Sequence, residues 1–351
     1  MFLCLICGGN RRPPKAAMRR GQDSPANKSL KTPARETQNE RKDIMSPNQC
    51  RVQKFLVSIL SAAFVAFVLV TPAIIGAETL MDDSDFQRMG KPKPGEWLFH
   101  FHEPGQSLEE YVHINPVRAS GRQQVIVFQP VGPFSQIERD IINKAVFFAG
   151  TWFDLPTRIE QPVPLPERGW HRLRRFPWQD RPTRQYQTGY FLHELLPKRI
   201  PEDAVCYLSI TMADLYPDEQ WNFVFGQASL SERVGVYSMV RYFPRFWGEK
   251  EPGEGDPLVL RRSCKVLAHE VGHIFGLAHC IHYRCAMNGS NSLEESDHRP
   301  LRLCPVCLKK LQWDRELDTI RRYEELKGFY QKHHLREEAA WIAKRLEKIM
   351  R

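Results

Sequence analysis

At 351 residues, 42% hydrophobic and 26% charged, the chain has room for one ordinary catalytic domain plus extensions, and its composition excludes a wholly disordered protein. The net charge of +9 is concentrated at the front: residues 1–54 hold 12 Lys/Arg against 4 Asp/Glu, a surplus of 8 that leaves about +1 for the rest. A nearly neutral body gives nucleic-acid binding little electrostatic support, so no nucleic-acid partner is expected.

Residues 1–54 read as a basic tail of disordered composition, rich in Arg, Lys, Pro, Ser, Asn and Gln. Cys4 and Cys7 form a lone C-x-x-C without a second pair nearby, and Met45 is an alternative start. Residues 55–77 are an uncharged apolar run behind Arg51 and Lys54, broken at Pro72 and closing on Gly76-Ala77. Such a run is a signal peptide or a membrane anchor, and in either case the basic side stays cytoplasmic and the rest is exported. A buried core helix, with a cytoplasmic protein, is the alternative. Residues 78–122 mix Gly, Pro and charge and are expected as a linker with packed pieces at Trp97-Leu98-Phe99.

The catalytic domain is expected over 123–313. It opens on a buried strand at 124–132 that ends in a Pro/Gly turn. Ser135 then caps a helix over 137–153, with Ile141, Ile142, Ala145 and Phe148 on one side. Residues 157–187, dense in Pro, Arg and Trp, are expected as a long surface segment. Residues 204–211 are a second buried strand, with Cys206 in the core, and 223–229 and 234–238 form a strand pair.

A helix over 257–277 carries the motif His269-Glu270-x-x-His273-x-x-Gly276-x-x-His279. Residues four apart share a helix face, so His269 and His273 present two imidazoles to one metal with Glu270 beside them. Gly276 stops the helix and lets the chain turn back to bring His279 in as a third ligand. Three protein ligands leave one tetrahedral position open, as a catalytic zinc requires. Leu260, Cys264, Leu267, Val271, Ile274 and Phe275 fall on the opposite face and belong to the core. Cys280, Cys285, Cys304 and Cys307 follow as two close pairs, which suits a closed, structural, four-thiolate zinc. His282, His333 and His334 read as surface residues. Two helices with apolar residues at helical spacing (Leu317, Ile320, Tyr323; Leu335, Ala339, Ile342, Leu346) are expected within 314–351.

The run from His269 to Cys280, then Cys285-Ala286-Met287, then Cys304-Pro305-Val306-Cys307, resembles the signature of the archaemetzincins, the archaelysin-type zinc metallopeptidases. The gap from Met287 to Cys304 is one residue shorter than in the family, and Arg184-Gln185-Tyr186 extends the likeness upstream. The resemblance implies an α+β, metzincin-type zincin with a mixed twisted sheet, an active-site helix, a second cysteine-bound zinc in the C-terminal part and a helical tail. It also implies a methionine turn at Met287 beneath the catalytic metal. The expected activity is zinc-dependent peptide-bond hydrolysis with Glu270 as general base, two zinc ions per chain and a peptide or protein substrate. A membrane partner through residues 55–77 is consistent with this reading, and no oligomeric state is implied. The rival readings are a non-catalytic, zinc-stabilised scaffold and a zinc amidase acting on cell-wall peptides.

Overall fold

Successive apolar residues along the central strands point in turn into two cores on opposite faces of one sheet. In this computed structural model, which describes residues 3–7, 82–229, 232–251, 257–315 and 317–351, that sheet is mixed. Its strands are β1 (Leu3–Cys7), β2 (Val125–Val131), β3 (Thr157–Ile159), β4 (His171–Arg174), β5 (Thr183–Gln187), β6 (Ala204–Thr211), β7 (Asp214–Tyr216), β8 (Val224–Ser229) and β9 (Val234–Ser238). The order is β3-β2-β6-β9-β8-β7-β5-β4, with β1 paired to β8. β3, β2, β6 and β9 run parallel, whereas β8 is antiparallel to β9, to β7 and to β1.

Ile126 and Phe128 of β2, with Leu208 and Ile210 of β6, point into the larger core, whereas Val127, Val131 and Tyr207 point into the smaller one. Burial on both faces is why these strands read as continuous hydrophobic runs rather than as alternation. The larger core is completed by α3 (Gln136–Phe153), α4 (Leu258–Ile274), α7 (Thr319–Lys332) and α8 (Arg336–Ile349). Ser135 caps α3 as expected, through a reciprocal capping box with Glu138. All six residues assigned to the inner face of α4 lie in this core. In the tail, Ile342 and Leu346 are buried, but Ile320 is 38% exposed.

Three segments depart from the sequence-based expectation. Residues 82–122 hold the packed piece expected at Trp97 but more structure than a linker: α1 (Trp97–His100) and α2 (Leu108–His113) are built into the body, with Trp97 and Tyr111 buried and Phe99 exposed. Residues 157–187 contribute β3, β4 and β5, and β4 pairs with β5 as a polar edge hairpin. Two of its arginines bond inward, Arg172 donating to the carbonyl of Trp221 at 2.7 Å and Arg174 to the side chain of Asn222 at 3.0 Å, whereas Arg168, Arg175, Arg181 and Arg184 are exposed as expected of a surface segment. Leu3–Cys7, assigned by composition to a disordered tail, forms β1 on the edge of β8, which offers unpaired backbone groups to any extended segment. Residues 55–77 lie outside the described residues; among those described, no helix is long and apolar enough to cross a membrane.

Candidate active site and metal centre

Helix α4 ends in a Schellman motif that aims the chain back at its own histidines. Gly276 takes φ +81°, its N–H bonds the carbonyl of His273 at 2.8 Å, and the N–H of Leu277 bonds the carbonyl of Gly272 at 3.0 Å. His279 follows in this turn, and its ring centroid lies 5.3 Å from that of His269 and 5.0 Å from that of His273. Ligand atoms of the three imidazoles lie within 4.8 Å of one another, and His269 Nε2 and His273 Nε2 are 2.7 Å apart.

Each imidazole is oriented through Nδ1. His269 Nδ1 bonds the carbonyl of Ala286 at 2.8 Å, His273 Nδ1 the carbonyl of Leu277 at 2.6 Å, and His279 Nδ1 the Oε1 of Glu103 at 2.7 Å. These bonds place the proton on Nδ1 and leave Nε2 as the ligating atom. Burial, and then the charge of His279, pushes His269 down to about 3, and burial lowers His273 as well, so both are neutral bases at ordinary pH. Burial alone would raise Glu103, but the bonds from His279 and Trp97 outweigh it and hold the carboxyl below its usual range.

Glu270 is fully buried, and neither carboxylate oxygen has a hydrogen-bond partner among the described residues. Burial pushes its carboxyl well above the usual range. It sits against β8, where a Cβ on Gly226 would fall 2.3 Å from Glu270 Oε1, so only glycine fits there. Met287 lies beneath the helix, and a Cβ on Gly272 would fall 2.7 Å from its sulfur.

The four cysteines converge separately. Cys280, Cys285, Cys304 and Cys307 are buried free thiols whose sulfurs lie within 4.8 Å of one another. Cys280 and Cys304 are 3.6 Å apart, close to the edge of about 3.8 Å that a tetrahedron of Zn–S bonds defines and far beyond a disulfide. Backbone N–H groups of Cys304 and Met287 point at Cys285 Sγ, at 3.3 and 3.5 Å. Cys304 and Cys307 flank the N-terminus of α6 (Pro305–Asp314), whose dipole favours thiolate.

Both donor sets therefore suit zinc: three convergent imidazoles with buried, unpaired carboxylate oxygens beside them, and four thiols within 4.8 Å of one another. All nine residues singled out from the sequence fall in these two clusters or pack against them. Sequence reasoning missed Glu103, Trp97 and Asn288. Asn288 donates to the carbonyls of Cys280 and Tyr283 at 2.6 and 2.9 Å and accepts from the N–H of Cys285 at 2.7 Å, tying the cysteine loop. Its place directly after Met287 was the available signal; Glu103 offered none, lying 176 residues from its partner. His282 and His334 are exposed, and the partly buried His333 packs on Phe329 at 4.5 Å, away from both clusters.

Comparison with known proteins agrees with this constellation. The family profile described as peptidase family M54 matches residues 198–313. Archaemetzincin-2 of Pongo abelii is 36% identical over 262 residues, covering 66% of this chain and 71% of that protein. Archaemetzincin-1 of Homo sapiens is 38% identical over 151 residues, 36% of this chain and 30% of that one. Among solved structures, archaemetzincin from Methanopyrus kandleri covers 55% of this chain and 96% of its own, with 27% identity and a TM-score of 0.43. The chain is thus a zinc metallopeptidase, a hydrolase whose substrates are peptides. More narrowly, it belongs to the archaemetzincin family, peptidase family M54.

Proposed function

We propose that His269, His273 and His279 hold a catalytic zinc, that Glu270 is the general base, and that Cys280, Cys285, Cys304 and Cys307 hold a second, structural zinc. The observation that carries this reading is Glu270 itself. A carboxylate buried with both oxygens unpaired is costly, and a fold retains it where its charge and its basicity are used. Bound zinc supplies a Lewis acid that acidifies water and polarises the scissile carbonyl. Glu270 takes the proton of the attacking water on a carboxylate oxygen and returns it to the departing amine nitrogen. The Nδ1 bonds hold the three imidazoles ready, and Met287 under Gly272 forms the dry floor of a metzincin-type site. The cysteine cluster fixes the loop that directly follows His279.

β8 is the edge on which an extended substrate lies. It is antiparallel to its neighbour β9, its Gly226 touches Glu270, and its outer edge already accepts an extended segment, β1, with Ile6 opposite Gly226. Main-chain pairing there holds peptides of varied sequence across the reacting carboxylate.

Glu270→Gln tests the reading. Cleavage of an unstructured protein is expected to fall about 10²–10⁴-fold with both zinc ions retained by elemental analysis. Full cleavage by this variant, or fewer than two zinc ions in the parent, overturns it.

A further inference from the structure

The three imidazoles differ in what holds them. His269 and His273 bond neutral backbone carbonyls, whereas His279 bonds a carboxylate brought in from residue 103. We propose that Glu103 is the positioning residue of the third ligand: it fixes the Nδ1–H tautomer of His279, aims Nε2 at the metal, and supplies negative charge to the buried site. This assignment rests on the reading of His279 as a zinc ligand.

Charge makes the case beyond geometry. Three neutral imidazoles leave the two positive charges of zinc uncompensated in a buried site. Two carboxylates stand beside them, Glu270 and Glu103, and both bury an oxygen that no described residue bonds, Oε1 and Oε2 of Glu270 and Oε2 of Glu103. Without a cation nearby, those unpaired buried oxygens cost free energy. With one, the site as a whole approaches neutrality. A carboxylate on Nδ1 also makes an imidazole a stronger donor than a carbonyl does.

Glu103 is itself held rigidly. Its Oε1 also accepts the indole N–H of Trp97 at 2.8 Å, and the Trp97 ring packs edge-on against His279 at 5.4 Å. The backbone N–H of Trp97 donates to both carboxylate oxygens of Glu295, at 3.1 and 3.0 Å. Three residues beyond Glu103, Gln106 donates to the carbonyl of Gly276 at 3.0 Å and accepts from the N–H of Ala278 at 3.1 Å. Tyr111 donates to the carbonyl of Phe275 at 3.0 Å. One strap thus clasps the turn that carries His279 along its whole length, and Glu103 is its contact with the ligand.

The test is zinc affinity at each site of the full chain, read by titrating a competing chelator into zinc-loaded protein. Cobalt-loaded protein separates the sites, because only the four-cysteine site gives intense sulfur-to-cobalt absorption. Glu103→Ala is expected to weaken the histidine site about 10–100-fold and leave the cysteine site unchanged. Glu103→Gln, which keeps an acceptor but loses the charge, is expected to fall between parent and Ala. Unchanged histidine-site affinity in Glu103→Ala, or equal weakening of both sites in Glu103→Gln, overturns the assignment. His279→Ala is the reference: if it keeps parental affinity at the histidine site, the ligand reading fails whatever Glu103 does.

Discussion

Gly226 is the residue at which β8 meets Glu270. Replacing it with alanine would place a Cβ 2.3 Å from Glu270 Oε1, so the carboxylate must move. Gly226→Ala is therefore expected to lose most peptide cleavage while holding both zinc ions, because no ligand is touched; activity within twofold of the parent contradicts the contact. The two metal clusters separate differently. Cys304 belongs to a buried four-thiol set that ties the loop to the start of α6, and structural zinc binding is folding energy. Cys304→Ser should lower the melting temperature by roughly 10 °C or more, on the scale by which a few kcal/mol shift a domain of this size. His279→Ala should abolish cleavage with a much smaller shift, and equal melting curves for the two refute that division of labour. The residues at both clusters were legible because ligand spacing is local: four along a helix, three past a glycine, or two cysteines around two residues. Glu103 was not, because its value lies in what it touches, and a hydrogen bond across 176 residues leaves no periodicity to read.

The helix that carries His269 and His273 depends on its exit. Alanine at Gly276 would be held at φ +81° with its Cβ 2.8 Å from Pro116 Cβ. The conformational strain alone is about 1–2 kcal/mol. Gly276→Ala is expected to lose at least that in urea unfolding and to weaken zinc at the histidine site, since His279 rides on the same turn. A second feature of this helix is Lys265, one turn before His269 and 97% buried. Burial, followed by repulsion from Arg261, pushes its ammonium down to about 7 from the ordinary 10.5. Between those values the unfolded chain binds the proton and the folded chain does not, so Lys265 makes stability rise with pH through that window. Lys265→Met is expected to be more stable than the parent at pH 7, with the gap closing as the pH approaches 10; a gap that does not change with pH would show that Lys265 is not desolvated. The helix and the central strands were readable from sequence because each carries its own pattern. The β4–β5 hairpin and the strap over 97–111 were not: their polar residues pair with distant partners, and pattern reading takes such residues for solvent-facing ones.

At the scale of the whole molecule, the proposed substrate edge and the N-terminal strand compete for the same hydrogen bonds. β1 occupies β8 from Ser229 to Val224, passing Gly226 and hence Glu270. A peptide that lies along this edge has to displace it. The pairing also requires Leu3–Cys7 and β8 to share one compartment. In a chain held across a membrane by residues 55–77, the first 54 residues would stay on the opposite side from the catalytic domain, and a chain cleaved after Ala77 would lose β1 altogether. Export through that run and occupation of the edge are therefore mutually exclusive, and processing would free the site. Deletion of residues 1–77 is expected to lower KM for a peptide substrate several-fold with kcat nearly unchanged, because the deletion removes a competitor and touches none of the reacting groups. A synthetic peptide of residues 1–13 added to the shortened enzyme should restore the higher KM as a competitive inhibitor. Equal KM for the full and shortened chains, with no inhibition by the peptide, would show that the substrate does not use this edge.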